Sequence, residues 1–111
     1  MPRDFRLYLE DVIEAIAKIR RYTAGLSFHQ FAKDEKAVDA VVRNLEVIGE
    51  AVKRIPDDMR QKHGRIDWRK IAGLRDILIH EYFGIDVEII WDIVQNKLPS
   101  LDASIHSMLT G

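Results

Sequence analysis

Val38-Asp39-Ala40-Val41-Val42-Arg43-Asn44-Leu45-Glu46-Val47-Ile48-Gly49-Glu50-Ala51-Val52 repeats apolar side chains at Val38, Val41, Leu45, Ile48 and Val52. That three- and four-residue spacing puts them on one face of an α-helix. The stripe runs on through Ile55 and meets Pro56, which cannot continue a helix because its ring is bulky and its nitrogen carries no proton. Upstream, Phe5, Leu9, Val12, Ile16 and Ile19 form a second stripe of the same period, with Gly25 as its natural stop. These two are expected to be long antiparallel partners.

Downstream, a polar stretch from Asp57 to Arg65 containing Gly64 separates them from a third helix, which Asp67 can N-cap and which carries Ile71, Leu74 and Leu78. It should end near Gly84. Asp86 then caps a fourth helix whose stripe is Val87, Ile90, Trp91, Val94, Leu98, Leu101, Ile105 and Met108, with Pro99 expected to kink or split it. No period-two alternation bounded by turn residues occurs, so the predicted fold is all-α, an up-down bundle of four to five helices in a single domain over residues 1–111. Ile89 and Ile93 add apolar surface beside the fourth stripe. A homodimer and extra core burial both account for them.

At 111 residues the chain is long enough for one core and too short for two. Its 47% hydrophobic and 32% charged residues are ordinary for a globular protein, and its apolar runs fall short of the ~20 residues of a bilayer span. With no cysteine there is neither a disulfide framework nor a thiolate metal site. Met1-Pro2-Arg3-Asp4 lacks the basic-then-apolar layout of a signal peptide, so a cytoplasmic location is expected. The net charge of −1 argues against a general nucleic-acid binder. It hides an uneven distribution, because Lys53 to Arg75 holds eight Lys or Arg against three Asp, leaving +5 there and −6 elsewhere. Two readings stand for this segment, a local surface for a polyanion and a solvated loop of mixed charge.

The chemistry is concentrated in Arg75-Asp76-Ile77-Leu78-Ile79-His80-Glu81-Tyr82. Arginine holds a planar, permanently charged fork against phosphate oxygens, and histidine exchanges protons near neutral pH, a pairing suited to metal-free phosphodiester cleavage. The Arg-x4-His spacing alone is weak, since an exposed arginine beside a structurally satisfied histidine gives it too. At about 100° per residue, the step from Arg75 to His80 turns ~140°, so the two do not share a face. Asp76 and His80 do share one, which lets the carboxylate orient the ring. If one pocket needs both Arg75 and His80, either the helix bends or a second copy supplies the missing groups, and a symmetric dimer does so simply.

Trp68-Arg69-Lys70-Ile71-Ala72-Gly73-Leu74 leads directly into that motif, and Phe83-Gly84-Ile85-Asp86 follows it. The whole segment resembles the signature of the HEPN superfamily, in its HepT-like branch. Asn44-Leu45-Glu46-Val47-Ile48-Gly49-Glu50-Ala51 is similar to the second-helix motif of that branch, and Val87 to Leu101, with Trp91 and Leu98-Pro99, resembles its last helix. The resemblance implies an all-α bundle that dimerises with its Arg-x4-His motifs facing one another and acts as a metal-independent endoribonuclease with no cofactor. It also implies a toxin of a two-gene toxin–antitoxin system. The expected partner is a minimal nucleotidyltransferase antitoxin resembling the MntA family, which adds AMP groups to the motif tyrosine, here Tyr82. Asp76 stands where the family commonly has Asn, adding a negative charge beside the phosphate site.

On this basis His80 is expected to act as general base or acid on the ribose 2′-hydroxyl or the leaving 5′-oxygen, and Arg75 to clamp the charge building on the phosphorane. Asp76 supports His80, and Tyr82 holds phosphate or water. AMP on Tyr82 would block the cleft by volume and by charge repulsion. The alternative is a non-catalytic substrate- or nucleotide-binding subunit associated with the nucleotidyltransferase.

Several other residues carry expectations of their own. Glu50 is either a buried carboxylate pairing with Arg75 or another cation, or a surface charge. Gly49 and Gly73 are expected to permit close helix packing. His29, His63 and His106 lack metal-ligand spacing, and Trp68 and Trp91 suit core anchoring better than base stacking.

Overall fold

The computed structural model describes residues 4–80 and 86–110, except the side chains of Arg75, Ile77, Ile79 and His80. Among these residues there is no strand. Helix α1 spans Phe5–Thr23. The Asp4 carboxylate opens it by accepting from the Arg6 amide at 3.0 Å, and Gly25 closes it at φ +76°, a conformation glycine adopts without steric cost.

A short helix, α2 (Phe28–Lys33), follows where the sequence carries no long stripe. Its start is a reciprocal capping box: the Ser27 hydroxyl accepts from the Gln30 amide at 3.1 Å, and the Gln30 side chain accepts from the Ser27 amide at 2.9 Å. Phe31 from this turn is fully buried. Asp34 then caps α3 (Glu35–Val52) by accepting from the Ala37 amide at 3.0 Å.

Helix α3 stops before the expected limit of its stripe. Ile55 is buried but sits just past the helix, in a turn tightened by hydrogen bonds from Arg54 to Ala51 and from Ile55 to Val52. A further short helix, α4 (Asp57–Gln61), lies in the polar stretch and buries no residue. The Trp68 indole nitrogen fastens that stretch, donating to the Arg60 carbonyl at 2.9 Å and the His63 carbonyl at 3.1 Å. Helix α5 spans Trp68–His80, so the expected end near Gly84 lies outside the described residues.

The last stretch begins with α6 (Val87–Asp92), where the Asp86 carboxylate accepts from the Glu88 amide at 2.9 Å. A π-helical turn, Ile93–Lys97, joins it to α7 (Leu98–Thr110). Pro99 explains the interruption. It can neither donate to the carbonyl four residues back nor tolerate that carbonyl beside its ring, so the ladder widens just upstream and the Leu98 amide donates to Ile93, five residues back.

Helix α1 packs between α3 and α7, while α3 lies between α1 and α5, and α2 touches α3 and α6. Leu9, Val12, Ile16 and Ile19 meet Val41, Leu45, Ile48, Leu101 and Ile105 in a core from which solvent is fully excluded. Each such side chain contributes roughly 1.5–3 kcal/mol by burial. No helix among the described residues is long and apolar enough to cross a membrane.

Candidate functional site

Helix α5 owes its placement to two features of its own sequence. Asp67 caps it, with its carboxylate accepting from the Lys70 amide at 3.2 Å and its carbonyl from the Ile71 amide at 3.1 Å. Trp68, Ile71, Leu74 and Leu78 then turn inward, which rolls Arg69, Lys70 and Asp76 out to solvent. Arg75, Asp76 and His80 all stand on this one helix. Five residues of helix separate Arg75 from His80, about 7.5 Å along the axis. Their side chains lie outside those described, and Tyr82 falls wholly outside the described residues.

Asp76 is the motif side chain the structure does place. It is solvent-exposed, and its carboxylate lies 3.9 Å from the Lys53 ammonium at the end of α3. Exposed pairs at that separation contribute under about 1 kcal/mol. The pairing still offsets a negative charge on the motif helix, and no spacing in the sequence pointed to Lys53 as its source.

Beside α5 runs an open groove of about 800 Å³. Leu74 and Leu78 stand on its α5 wall, and Ile89, Ile90 and Ile93 stand on the wall formed by α6 and the π-helical turn. Ile89 is 58% exposed, the most exposed large apolar side chain among the described residues. The extra apolar surface expected at Ile89 and Ile93 therefore lines this groove rather than a sealed core. Around it stand Arg65, Arg69, Lys70 and Lys97 with Asp67, Asp76 and Asp86.

Six of the eight basic residues in the segment fall into two groups. Lys53, Arg54 and Arg60 pair with Asp76, Glu50 and Asp57, whereas Arg65, Arg69 and Lys70 reach the groove. Glu50 is about half exposed and lies 3.7 Å from Arg54, so it is not buried, and its expected pairing with Arg75 concerns a side chain outside those described.

Gly73 departs from its expected role. A Cβ built there would meet nothing within 4 Å, because the position faces the groove rather than a neighbouring helix. Gly49, by contrast, is buried in α3. Trp68 is the expected anchor, and Trp91 is half-buried against Phe31, with ring centroids 5.1 Å apart, and edge-on to Phe28 at 6.2 Å. His106 lies 3.4 Å from Asp102, which also accepts from Arg20 at 3.1 Å, a surface cluster away from α5. Among the described residues no three His, Asp or Glu side chains gather as metal ligands would.

The family model for HepT-like ribonucleases matches residues 12–108, from within α1 to the last turn of α7. A Methanocaldococcus jannaschii protein named "Putative RNase MJ0127" is 50% identical over 90% of this chain and 84% of its own length. A "Probable ribonuclease HepT" of Thermococcus cleftensis is 44% identical over 97% of this chain and 98% of its own. A Caldanaerobacter subterraneus protein named "Putative RNase TTE0752" is 42% identical over 94% and 93%. No solved structure matches the chain. With an all-α bundle, a motif helix beside an open groove and full-length similarity of this order, the chain belongs to the HepT-like ribonuclease family of the HEPN superfamily.

Proposed function

We propose that the protein is a metal-independent endoribonuclease whose active cleft is completed by a second copy of the chain. The observation that carries this reading is the position of α5. It holds Arg75 and His80 on one helix beside a groove whose apolar wall, Ile89 above all, is left open among the described residues. Because positions 75 and 80 stand about 140° apart around a regular helix, a symmetric pair of α5 helices is the direct way to bring an arginine and a histidine to one phosphate.

In that cleft His80 takes the proton from the 2′-hydroxyl, or gives one to the leaving 5′-oxygen. The 2′-oxygen bonds to phosphorus, the P–O5′ bond breaks, and a 2′,3′-cyclic phosphate remains. Arg75 balances the charge that accumulates on the phosphorane oxygens. Asp76, partly neutralised by Lys53, orients the imidazole. DNA is not a substrate because it lacks the attacking hydroxyl.

The same reading makes the chain the toxin of a toxin–antitoxin pair, with a cognate minimal nucleotidyltransferase that silences it by AMPylating Tyr82. An added phosphate there competes with the RNA backbone for Arg75.

Subunit mixing tests the reading. Arg75→Ala and His80→Ala should each lose RNA cleavage by about 10²-fold or more. A mixture of the two should recover part of it, because a mixed dimer retains one arginine and one histidine. Wild-type protein that leaves RNA intact, with Tyr82 free of AMP by mass, would instead mark a nucleotidyltransferase-associated binding subunit.

A further inference from the structure

The charges around the groove are not evenly engaged. Asp67 caps α5 and lies 3.9 Å from the Lys70 ammonium, Asp86 caps α6, and Asp76 faces Lys53. The side chains of Arg65, Arg69 and Lys97 are exposed and make no ion pair or hydrogen bond among the described residues. Among the described residues the cations are therefore available and the anions are already engaged, so the groove's effective potential is more positive than its residue count suggests.

Gly73 adds an independent sign. A glycine inside a helix costs about 0.5–1 kcal/mol relative to alanine, and no neighbour among the described residues requires it, since a Cβ there would meet nothing within 4 Å. What the glycine provides is a bare stretch of α5 against which another backbone can lie closely. It stands one helical turn from Arg69 on the groove wall.

We propose that Arg65, Arg69 and Gly73 on one wall, with Lys97 opposite, form a track for the sugar–phosphate backbone of single-stranded RNA leading away from the scissile bond. The proposal rests on the ribonuclease reading and adds where the rest of the substrate lies. Arg69 is eleven residues from His80, about 16 Å along the helix axis. A stacked strand advances ~3.4 Å per phosphate, so the track meets the backbone within about five nucleotides of the cut. No aromatic side chain among the described residues lines the groove. The recognition is of phosphate charge rather than of base identity.

The test is equilibrium binding of a 2′-O-methyl RNA of about twelve nucleotides, which keeps the charge but cannot be cut, beside cleavage of the same sequence as RNA. The variants are the triple Arg65→Ala, Arg69→Ala, Lys97→Ala; the single Gly73→Leu; and a control triple, Arg21→Ala, Lys33→Ala, Lys36→Ala, which removes equal charge from exposed positions outside the groove. The groove triple should weaken binding at least tenfold at low salt and flatten the salt slope by about 2, at ~0.7 per lost charge. It should raise KM for cleavage while leaving kcat at saturation intact. Gly73→Leu should fold normally and also weaken binding, and the control triple should do neither.

Three results would overturn the track: a groove triple that binds like wild type, a control triple that loses as much, or a groove triple whose defect is a change from dimer to monomer in sedimentation. The last would assign this end of the groove to the second copy. If wild type binds with the full slope and cuts nothing, the track stands and the ribonuclease reading falls. If wild type cuts and the groove triple matches it, the reverse holds.

Discussion

The side of the bundle where α1 meets α3 and α7 differs from the side where α5 faces α6 and the π-helical turn. On the first side, Leu9, Ile16, Leu45 and Ile105 are completely sealed, and each helix finds its partner within the chain. On the second, the inward residues Ile71, Leu74 and Val94 each keep 8% of their surface exposed, and between the two walls lies a groove. The sealed side holds the molecule together, and the open side leaves one flank of the motif helix α5 beside an open groove. On the proposed ribonuclease reading, stability and chemistry are segregated along one short chain.

Substitutions can break that contrast or refine it. The largest effect belongs to the sealed side. Leu45→Ala should cost about 2–5 kcal/mol in denaturant unfolding through lost burial and the cavity left behind, whereas Ile89→Ser on the open side should leave the unfolding of monomeric protein almost unchanged and weaken self-association. Equal losses of fold stability at the two sites would erase the distinction. Next comes Asp34→Ala, which removes the cap of α3 and should cost about 1 kcal/mol without altering cleavage, since α3 reaches the motif helix at its other end.

Gly73→Ala is smaller and of opposite sign. It should stabilise the fold by about 0.5–1 kcal/mol, because the added methyl enters open groove rather than a packed interface. Destabilisation would show that the groove is filled in solution. Last, Lys53→Ala should cost under about 1 kcal/mol, and less still at high salt, as expected of an exposed pair. A greater loss in cleavage than in stability would identify Lys53 as the residue that tempers Asp76.

The sealed side was largely legible in the sequence because periodicity reports burial against neighbours. The stripes through Leu9, Ile16, Leu45 and Leu101 each became core, and Asp67 and Asp86 cap the helices they were expected to cap. Helix α2 was not seen because six residues carry too little periodicity, although Ser27 and Gln30 spell a capping box. The effect of Pro99 was foreseen, but its form, a π-helical turn upstream, depends on how the carbonyl ladder relaxes.

The open side was legible only as chemistry. Arg75, Asp76, His80 and Tyr82 stood out by type, yet the groove exists between elements distant in sequence, and no local pattern encodes it. Gly73 was misread for the same reason: a glycine that borders an open groove looks, in sequence, like one that clears space for a neighbouring helix.

The most direct measurement is cleavage of structured RNA by purified protein whose Tyr82 is shown by mass to carry no AMP, in excess EDTA, beside a His80→Ala variant of matching helical content. The expected result is cleavage by wild type, with 2′,3′-cyclic phosphate ends, and none by the variant. Cleavage that EDTA abolishes, or that His80→Ala retains, would contradict metal-free catalysis through the motif on α5.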